Sequence, residues 1–545
     1  MSGFSAMMGN PPWEVLSNEE RAWFAGRHED IANCTRTSTR RAMIEDLGKS
    51  EDEADRKLFK AWKDESENTI RTRTFMSKSG AYPLTAKGTL NLAPMFAEAV
   101  VNFSRNSGNI VPSTVLTDIS TRAHFVDLVS KGRLYEVLDL VNQKPFFTQA
   151  GQNLRFVLLS VRQESKTKSF QCLGNQLRLP STTNINSYTV TKEDLRVLYG
   201  DDPSCPMFPS MQAFQLAKQL AVAWTRYNGQ GGWEAQYGRM VDMAVDSHHF
   251  VTYEDLNENA NLTTEDGFLW KTTSGENAYV PLYEAKLFDA HQPRFGDFSG
   301  VAADDRFGRA ARSKRPSDED LSDPNYAPLP RYWVPVGIRD AWFKQRGVLD
   351  HQHGQVATRG ICRGLTDSRS LKAAVLPNEV ALGHSAGYWL APEQDPEYPF
   401  VLATVLNSLL ADYQARMYLT GINLSKYLVE MIYMPTPDSL RREIAVIDGV
   451  ETSVWHHLLS LSFQLHHEWN YLQHPLSNNS PGRAVKNPLA VIDALLAKQA
   501  GLSRPVFEWM IGRFNIWERQ IGTEALLVDR LQWFDAIQIL KENLP

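Results

Sequence analysis

The sequence predicts an α/β protein, because helical and strand-like periodicities alternate over residues 92–161. Apolar residues recur at helical spacing from Leu92 to Phe103, and a second helix is expected around Phe125–Val129. Short apolar runs at 109–112, 134–141 and 154–161 read as strands, the last two joined by a short loop. This order suits the second half of an α/β sheet that ends in an antiparallel hairpin. Upstream, residues 4–8 are expected to form the end of a buried strand.

The remaining chain divides by composition into two further regions. Residues 166–437 are irregular and rich in Pro, Gly, Asn and aromatic residues, and 299–330 is expected to be a long exposed loop. Residues 438–545 indicate helices, with a start at Ser503 and Pro505 and a break at Gly522. We therefore expect three domains, at 1–165, 166–437 and 438–545.

Composition indicates an ordinary globular protein. Hydrophobic residues make up 43% and charged residues 22% of the chain, and no apolar run is long enough to span a bilayer. The four cysteines are far apart, and no signal peptide is evident, so a reducing cytoplasm is expected. The net charge of −6 weakens an expectation of nucleic-acid binding without excluding it, because a basic surface can be confined to one cleft. The histidine doublets lack carboxylates at ligand spacing, so no metal site is expected.

The most informative motif is Asn10-Pro11-Pro12-Trp13, directly after the first expected strand. An amide and a rigid carbonyl can accept hydrogen bonds from an exocyclic amine, and an indole can stack on a ring. This combination is suited to holding a base that has left the DNA helix. The alternative is an ordinary tight loop before a helix, with Trp13 as a core residue.

The tetrad resembles the catalytic loop of amino-group DNA methyltransferases. Several further segments, in order, resemble the large adenine-specific enzymes of type IIG and type IIL restriction–modification, a module also found in the phage-exclusion systems BREX and DISARM. The segments that carry this resemblance are Gly108 to Ser113, Asn142 to Phe147, Pro281 to Lys286, His291 to Phe295, Arg363 to Ser370, and Asn407 to Arg416.

The resemblance implies a fold, a reaction and the region that recognises the DNA sequence. It implies the C-terminal half of a class I methyltransferase Rossmann-like sheet, then an α+β target-recognition domain and a helical C-terminal region. It also implies base flipping in double-stranded DNA, followed by direct methyl transfer from S-adenosylmethionine to the adenine amine. Specificity would come from residues 166–437 in a DNA groove.

The resemblance also implies roles for individual residues. Asn10 and the carbonyl of Pro11, held rigid by Pro12, would accept hydrogen bonds from the amine, while the base stacks on Trp13 and is held from behind by Phe147. An aromatic residue at a hairpin corner usually serves packing, so Phe147 has that alternative. The expected DNA-contacting residues are Lys286, Arg294, Arg306, Arg309 and Arg312; the basic cluster at 306–315 is equally consistent with a solvated loop.

The motifs by which such enzymes bind their cofactor are not found in this sequence. The family binds S-adenosylmethionine through a glycine turn and an acidic residue that both precede the catalytic loop. The glycine-dense segment Gly229–Gly232 follows no buried strand and is expected to be a loop. We therefore expect an incomplete cofactor site and a protein partner that carries the cofactor-binding half. A sheet that begins at its fourth strand would expose a long unpaired edge.

Two other hypotheses remain open at this stage. In the first, the chain is a non-catalytic DNA-recognition or specificity subunit of a defence complex, with the tetrad as a remnant. In the second, the start is misassigned or one gene has been split. No membrane association is expected under any of these hypotheses.

Overall fold

A computed structural model places the chain in two compact units, Met1–Phe214 and Gln215–Pro545. The structure describes residues 3–34, 37–143, 146–148, 151, 154–181, 186–243, 245–265, 267–307, 311–348, 355–362, 367–390, 395–419, 423–466 and 484–540. No helix within these ranges is long and apolar enough to cross a membrane. The two units are described separately below as unit 1 and unit 2.

Unit 1 is built on a six-stranded mixed sheet. Its strands are β1 (Phe4–Gly9), β2 (Ser104–Pro112), β3 (Leu134–Val141), β4 (Arg155–Val161), β5 (Phe170–Gln176) and β6 (Tyr188–Val190). Its helices are α1 (Glu20–Phe24), α2 (Glu29–Asn33), α3 (Thr37–Leu47), α4 (Glu53–Lys78), α5 (Leu92–Phe103), α6 (Thr114–Thr117), α7 (Arg122–Ser130) and α8 (Lys192–Tyr199). Helix α9 (Met211–Ala223) crosses the boundary between the units.

The sheet order is β1-β2-β4-β3-β5-β6. β1 runs parallel to β2, β3 runs parallel to β5, and β4 is antiparallel to both β2 and β3. β1, β2, β3 and β5 therefore point in one direction, and their carboxyl ends meet at one edge of the sheet. The predicted α/β class and the antiparallel hairpin, formed by β3 and β4, are confirmed.

β1 is an edge strand, and its exposure differs from the sequence expectation. Phe4 is 67% exposed and Met8 is 87% exposed, although this strand was expected to be buried. Among the described residues, β1 pairs with β2 alone, so its outer edge has no neighbouring strand. Side chains on both of its faces are exposed or half-buried. The expected burial is therefore wrong, because an apolar strand sequence does not reveal whether a neighbouring element is present.

Helix α5 covers the residues that the apolar spacing predicted, yet its apolar surface is wider than its buried face. Ala93, Met95, Ala97 and Val101 are buried. Phe96 and Phe103 lie on another face, 44% and 62% exposed. The start of β1 runs against the end of this helix, since a β-carbon on Gly3 would lie 2.5 Å from the carbonyl oxygen of Phe103.

Helices α1 to α4 form a small helical cluster between β1 and α5. Phe24 and Trp62 are buried in its core, and the two rings lie 5.4 Å apart. Trp23, Leu58 and Phe59 pack against this core while partly exposed. These five residues therefore share one core.

Unit 2 contains small sheets flanked by short helices. Its strands are β7 (Thr225–Arg226), β8 (Gln236–Gly238), β9 (Leu262–Thr263), β10 (Trp270–Thr272), β11 (Asn277–Tyr283), β12 (Trp333–Pro335), β13 (Gln355–Arg359), β14 (Ala373–Leu376), β15 (Ala381–Leu382), β16 (Ala386–Leu390), β17 (Tyr433–Met434), β18 (Ile444–Ile447), β19 (Val450–Ser453) and β20 (Gln538–Leu540). The sheet orders are β12-β11-β10-β9 with β15 beside β11, β14-β13-β16-β8, β17-β7, and β19-β18-β20.

The helices of unit 2 concentrate towards its C-terminal end, as predicted. They are α10 (Tyr253–Asn257), α11 (Ala303–Phe307), α12 (Asp318–Ser322), α13 (Val336–Lys344), α14 (Tyr398–Leu406), α15 (Leu409–Tyr418), α16 (Lys426–Glu430), α17 (Pro437–Arg442), α18 (Val454–Leu465), α19 (Pro488–Gln499), α20 (Arg504–Ile511), α21 (Asn515–Ile521) and α22 (Asp529–Ala536). A 3-10 turn (Ser247–His249) and a π-helical turn (Glu524–Val528) complete the described elements. Gly522 ends α21 with a φ of +85°, a conformation that favours glycine.

Candidate functional site

The tetrad Asn10–Trp13 lies at the carboxyl-end edge of the unit 1 sheet. It leaves β1 directly, and Asn10 and Pro12 are exposed while Pro11 and Trp13 are half-buried. The chain is then fixed by backbone hydrogen bonds to the segment before α5, from Leu92 N to Glu14 O at 2.9 Å and from Leu16 N to Leu90 O at 2.9 Å. These bonds anchor the end of the loop, so the tetrad is held at the edge where ligands of open α/β sheets bind.

Trp13 is oriented by one hydrogen bond and by two aromatic contacts. Its Nε1 donates to the carbonyl oxygen of Ile110 on β2 at 3.3 Å. Its ring meets Phe147 edge to face, with centroids 5.4 Å apart and planes at 73°, and lies 6.3 Å from the ring of Phe156. The structure therefore brings together Trp13 and Phe147, which are far apart in sequence.

Phe147 is held in the β3–β4 connection by Asn142, whose side chain is fully buried. Asn142 Oδ1 accepts from Phe147 N at 3.0 Å, and Asn142 Nδ2 donates to Phe147 O at 3.0 Å. The same amide reaches Gly151 O at 3.4 Å. One buried amide thus spans both limbs of the connection and fixes the backbone that presents the phenyl ring.

A buried ion pair supports the strands below the two rings. Asp139 on β3 is fully buried and forms a salt bridge with Arg155 on β4. The same carboxylate accepts from Ser113 Oγ at 2.5 Å and from Asn175 N at 2.7 Å. Asp139 therefore ties together the carboxyl ends of β2, β3 and β5, near the points where the site loops leave the sheet.

The distance between the two rings bears on the predicted base-stacking role. A base held between two parallel rings needs ring centroids about 7 Å apart, that is, two van der Waals separations of roughly 3.5 Å. Trp13 and Phe147 are 5.4 Å apart and steeply inclined, so they contact each other directly. In this conformation a base has no room between the two rings, and at least one ring must move before a base can enter.

Two of the expected DNA-contacting residues are engaged within unit 2. Arg294 is 2% exposed, and its guanidinium donates to the carbonyl oxygens of Leu321, Asp323 and Tyr326 at 2.8 to 3.0 Å. Lys286 is half-buried, and its Nζ donates to the carbonyl oxygen of Ala311. Burial lowers the pKa of Lys286, with a further contribution from the nearby Arg331 guanidinium. Both cations hold the path of segment 299–330 rather than presenting a free charge.

The basic cluster itself is divided. Arg306 is only slightly exposed, pairs with Glu254 at 3.0 Å and donates to Val301 O at 3.0 Å. Arg312 is exposed, and no ion pair involves it within the described ranges. Arg309 lies outside the described residues. Of the expected DNA-contacting residues that the structure describes, Arg312 is the one that is exposed.

The segment 299–330 is more ordered than a long exposed loop. It contains α11 and α12, and Val301 and Ala311 are buried. Asp297 fixes the segment by accepting from Tyr326 Oη at 2.5 Å and from Leu329 N at 3.0 Å. Polar contacts of this kind hold the segment in place without a long apolar run in its sequence, which is why the sequence predicted an exposed loop.

Three residues of the site were not identified from the sequence, namely Asn142, Asp139 and Arg155. Asn142 was noted only as the start of a family-like block, and the acid and base sit within apolar strand patterns. A charged residue inside an otherwise apolar strand is itself a signal, since buried charges require partners. Two such residues at 139 and 155 on a predicted hairpin would have indicated a cross-strand pair.

The glycine-dense segment Gly229–Gly232 lies in turns, as expected for a loop. Gly229–Gly232 forms turns after the two-residue strand β7 in unit 2, with Gly232 N bonded to Gly229 O at 2.8 Å. It does not follow a strand of the sheet that carries Asn10. As for metals, no group of three or more His, Cys, Asp or Glu side chains in the described part of the chain is arranged to hold an ion.

Two distant structural likenesses are among the matches to solved structures. No family model and no curated protein matches the sequence. The type IIG restriction endonuclease BpuSI matches with a TM-score of 0.27 and 11% identity, over 82% of this chain and 52% of that one. The type IIL restriction–modification enzyme MmeI, solved in complex with DNA, matches with a TM-score of 0.38 and 10% identity, over 97% of this chain and 57% of that one.

This chain spans just over half the length of either of these enzymes.

Proposed function

We propose that this chain supplies the base-binding half of an adenine-specific DNA methyltransferase. One observation carries the proposal: Asn10–Trp13 stands at the carboxyl end of β1, and Trp13 reaches Phe147 across that edge. An amide acceptor, a rigid Pro-Pro turn and paired aromatic rings together suit a base extruded from DNA.

The roles of the chain's own residues follow from their positions. Asn10 is exposed beyond the last residue of β1, so its Oδ1 is accessible to an exocyclic amine. A hydrogen bond accepted by Asn10 Oδ1, and a second accepted by the carbonyl of Pro11, would turn the nitrogen lone pair out of conjugation with the ring. S-adenosylmethionine, when bound, supplies the methyl group. Orientation of the amine towards that group can account for several kcal/mol of barrier reduction.

Admission of the base requires the aromatic contact to open. Trp13 is tied to Ile110 O by its indole N–H, whereas the hydrogen bonds of Asn142 hold the backbone of Phe147 and packing holds its phenyl ring. We therefore assign Phe147 as the ring that moves and Trp13 as the fixed stacking surface. The base would take the place beside Trp13 that the ring of Phe147 occupies in this conformation.

The methyl donor is assigned to residues outside this sequence, on a partner polypeptide or on a further segment of the same protein. The outer edge of β1 supports this assignment, because Phe4 and Met8 project from a strand that pairs on one side within the described residues. Exposed strand edges readily accept another strand. A neighbouring strand there would also place its own carboxyl-end loops beside Asn10.

An exposed apolar stripe on α5 supports the same assignment. Phe96, Val100 and Phe103 recur at helical spacing, and the two phenylalanines are 44% and 62% exposed. The stripe adjoins β1, because Gly3 packs against the backbone of Phe103. Contiguous exposed apolar surface of this kind marks an interaction site more often than a solvent-facing one.

A second candidate function is a non-catalytic DNA-recognition or specificity subunit of a restriction–modification or phage-defence complex. The direct contact between Trp13 and Phe147 favours it, since the closed rings leave no space for a base. Under this alternative the tetrad is a structural loop and Asn10 has no chemical role.

Mapping of modified adenines distinguishes the two candidates. The chain is expressed together with its neighbouring genes in cells that lack adenine methylation, and the DNA is sequenced for N6-methyladenine. The proposal predicts a methylated sequence motif with the parent chain and none with Asn10→Ala. Asn68→Ala, an exposed position on α4, is the matched control and should leave the motif intact. An unchanged motif with Asn10→Ala, or no methylation with the parent, contradicts the proposal.

A further inference from the structure

A polar cleft lies at the same sheet edge as the tetrad, beyond the end of β5. Its volume is about 500 Å³, within the range of roughly 300–1,000 Å³ common for ligand pockets. It is lined by Leu173, Gln176, Pro180, Asn186, Ser187, Pro209, Ser210, Met211 and Gln212. All of these residues belong to unit 1.

The cleft and the aromatic pair share one apolar cluster. Leu173 lines the cleft and also belongs to the apolar cluster that Trp13 and Phe147 pack against. β5 runs parallel to β3, so the cleft follows β5 at the edge where Phe147 follows β3. The two features are therefore neighbouring parts of one carboxyl-end surface.

The walls of the cleft are fixed by tight packing. Gly174 N donates to Phe208 O at 2.7 Å, and a β-carbon on Gly174 would lie 2.1 Å from Met207 O. Tyr188 Oη donates to Pro206 O, and it accepts from Phe208 N at 2.8 Å. Segment 206–210 is thereby clamped onto β5 and β6, and it forms one wall before any ligand arrives.

Among the described residues, the lining carries amides and hydroxyls and no carboxylate. Asn186 and Gln212 are exposed, and neither side-chain amide has a hydrogen-bond partner within the described residues. Amides donate and accept at once, so they suit base edges, and they also bond phosphate oxygens. The absence of carboxylates from this lining removes a source of repulsion towards a phosphate backbone.

The segment that follows β5 adds apolar and positive groups beside the lining residues Gln176 and Pro180. Leu177 and Leu179 are 39% and 57% exposed, and Arg178 between them is also exposed. Apolar side chains of this kind insert between base steps in proteins that distort DNA, and arginine neutralises phosphates. Both chemistries fit a DNA strand and neither is needed for a small polar metabolite.

We propose that this cleft receives the nucleotide next to the extruded adenine, with the amides of Asn186 and Gln212 contacting it. The inference rests on the proposed function, because it takes the base held at Asn10 as the reference point. It adds a binding site that positions the strand on the side of Phe147 away from β1.

A crosslinking and affinity experiment with the full chain tests this assignment. The probe is a fluorescent 20-nucleotide single strand of mixed sequence, carrying 5-iododeoxyuridine next to adenine. We expect crosslinks at or beside Asn186 or Gln212. We also expect the affinity for the probe to be about tenfold lower in the Asn186→Ala/Gln212→Ala double variant, because two hydrogen bonds are lost. Gln163→Ala is the control, because this exposed amide follows β4 at the opposite edge of the sheet.

The outcomes separate this inference from the proposed function. Undiminished affinity in the double variant, or crosslinks confined to other regions, contradicts nucleotide binding in the cleft. Neither result bears on the proposal of adenine methylation. Competition for the cleft by S-adenosylmethionine in the absence of DNA also overturns it. Failure of the parent chain to bind the probe contradicts both proposals together.

Discussion

Trp13 and Phe147 lie 134 positions apart in the sequence and meet edge to face with ring centroids 5.4 Å apart. The contact joins the loop after β1 to the β3–β4 connection, over an apolar cluster that includes Leu140 and Phe156. It defines the centre of the candidate site. It also shows the site in a closed form, in which each ring occupies the space that a base would take against the other.

The first prediction concerns the amide that holds Phe147. Asn142→Asp removes the donor to Phe147 O and Gly151 O, and it places a carboxylate in a fully buried position. We expect a loss of about 2–3 kcal/mol in the free energy of unfolding, from the lost bonds and the buried polar group. Hydrogen exchange should speed up in the β3–β4 connection. Unchanged exchange there would contradict the role given to Asn142.

The second prediction concerns the buried ion pair. Asp139→Asn leaves Arg155 buried without its counter-charge, which typically costs about 3–5 kcal/mol. Asp127→Asn is the control, since its pair with Lys131 is partly exposed and worth less than about 1 kcal/mol. Chemical denaturation of both variants measures the difference. Equal effects would show that the buried pair does not hold β2, β3 and β5 together.

The third prediction concerns the exposed edge of β1. Met8 is 87% exposed, so Met8→Lys should leave the stability of this chain nearly unchanged, within about 0.5 kcal/mol. Association with a subunit that carries the cofactor half should be lost, because a lysine on a strand edge opposes pairing. Co-purification from cells that express the neighbouring genes measures the association. Full retention of the partner by Met8→Lys would place the interface elsewhere.

The fourth prediction concerns pH. Burial lowers the pKa of His124 on α7 to about 4, the main cause being loss of hydration, partly offset by Asp127. The unfolded chain binds a proton at this histidine more readily than the folded chain does. The free energy of unfolding is therefore highest above pH 6.5, where the imidazole is neutral in both states, and it falls as the pH is lowered towards 4. A shift of this size corresponds to about 3 kcal/mol. His124→Leu should weaken the acid sensitivity of unit 1 unfolding, and an unaltered pH profile would contradict the assignment.

The sequence predicted the elements whose pattern is local. The spacing of Leu92, Met95 and Phe103 gave the bounds of α5, and the two apolar runs at 134–141 and 154–161 gave the hairpin. The position of Asn10 after a strand was likewise visible in the order of residues. These features depend on neighbours in sequence, so periodicity is sufficient to find them.

Two features that depend on distant contacts were not predicted. The burial expected for Phe4 failed because it depends on what lies beside β1. Arg294 looked like a surface cation, yet the path of 321–326 supplies three carbonyl oxygens to its guanidinium. Neither the missing neighbour nor the path of that segment leaves a local pattern in the sequence.

The most direct test of the central claim is transfer of a labelled methyl group to DNA. The complex recovered on an affinity-tagged form of this chain is incubated with DNA and methyl-labelled S-adenosylmethionine, and the DNA is hydrolysed to nucleosides. We predict label in N6-methyladenine with the parent chain and its loss with Asn10→Ala, while DNA binding is retained. Equal labelling by the two complexes, or label in cytosine alone, would contradict the role of Asn10–Trp13 as an adenine-binding catalytic loop.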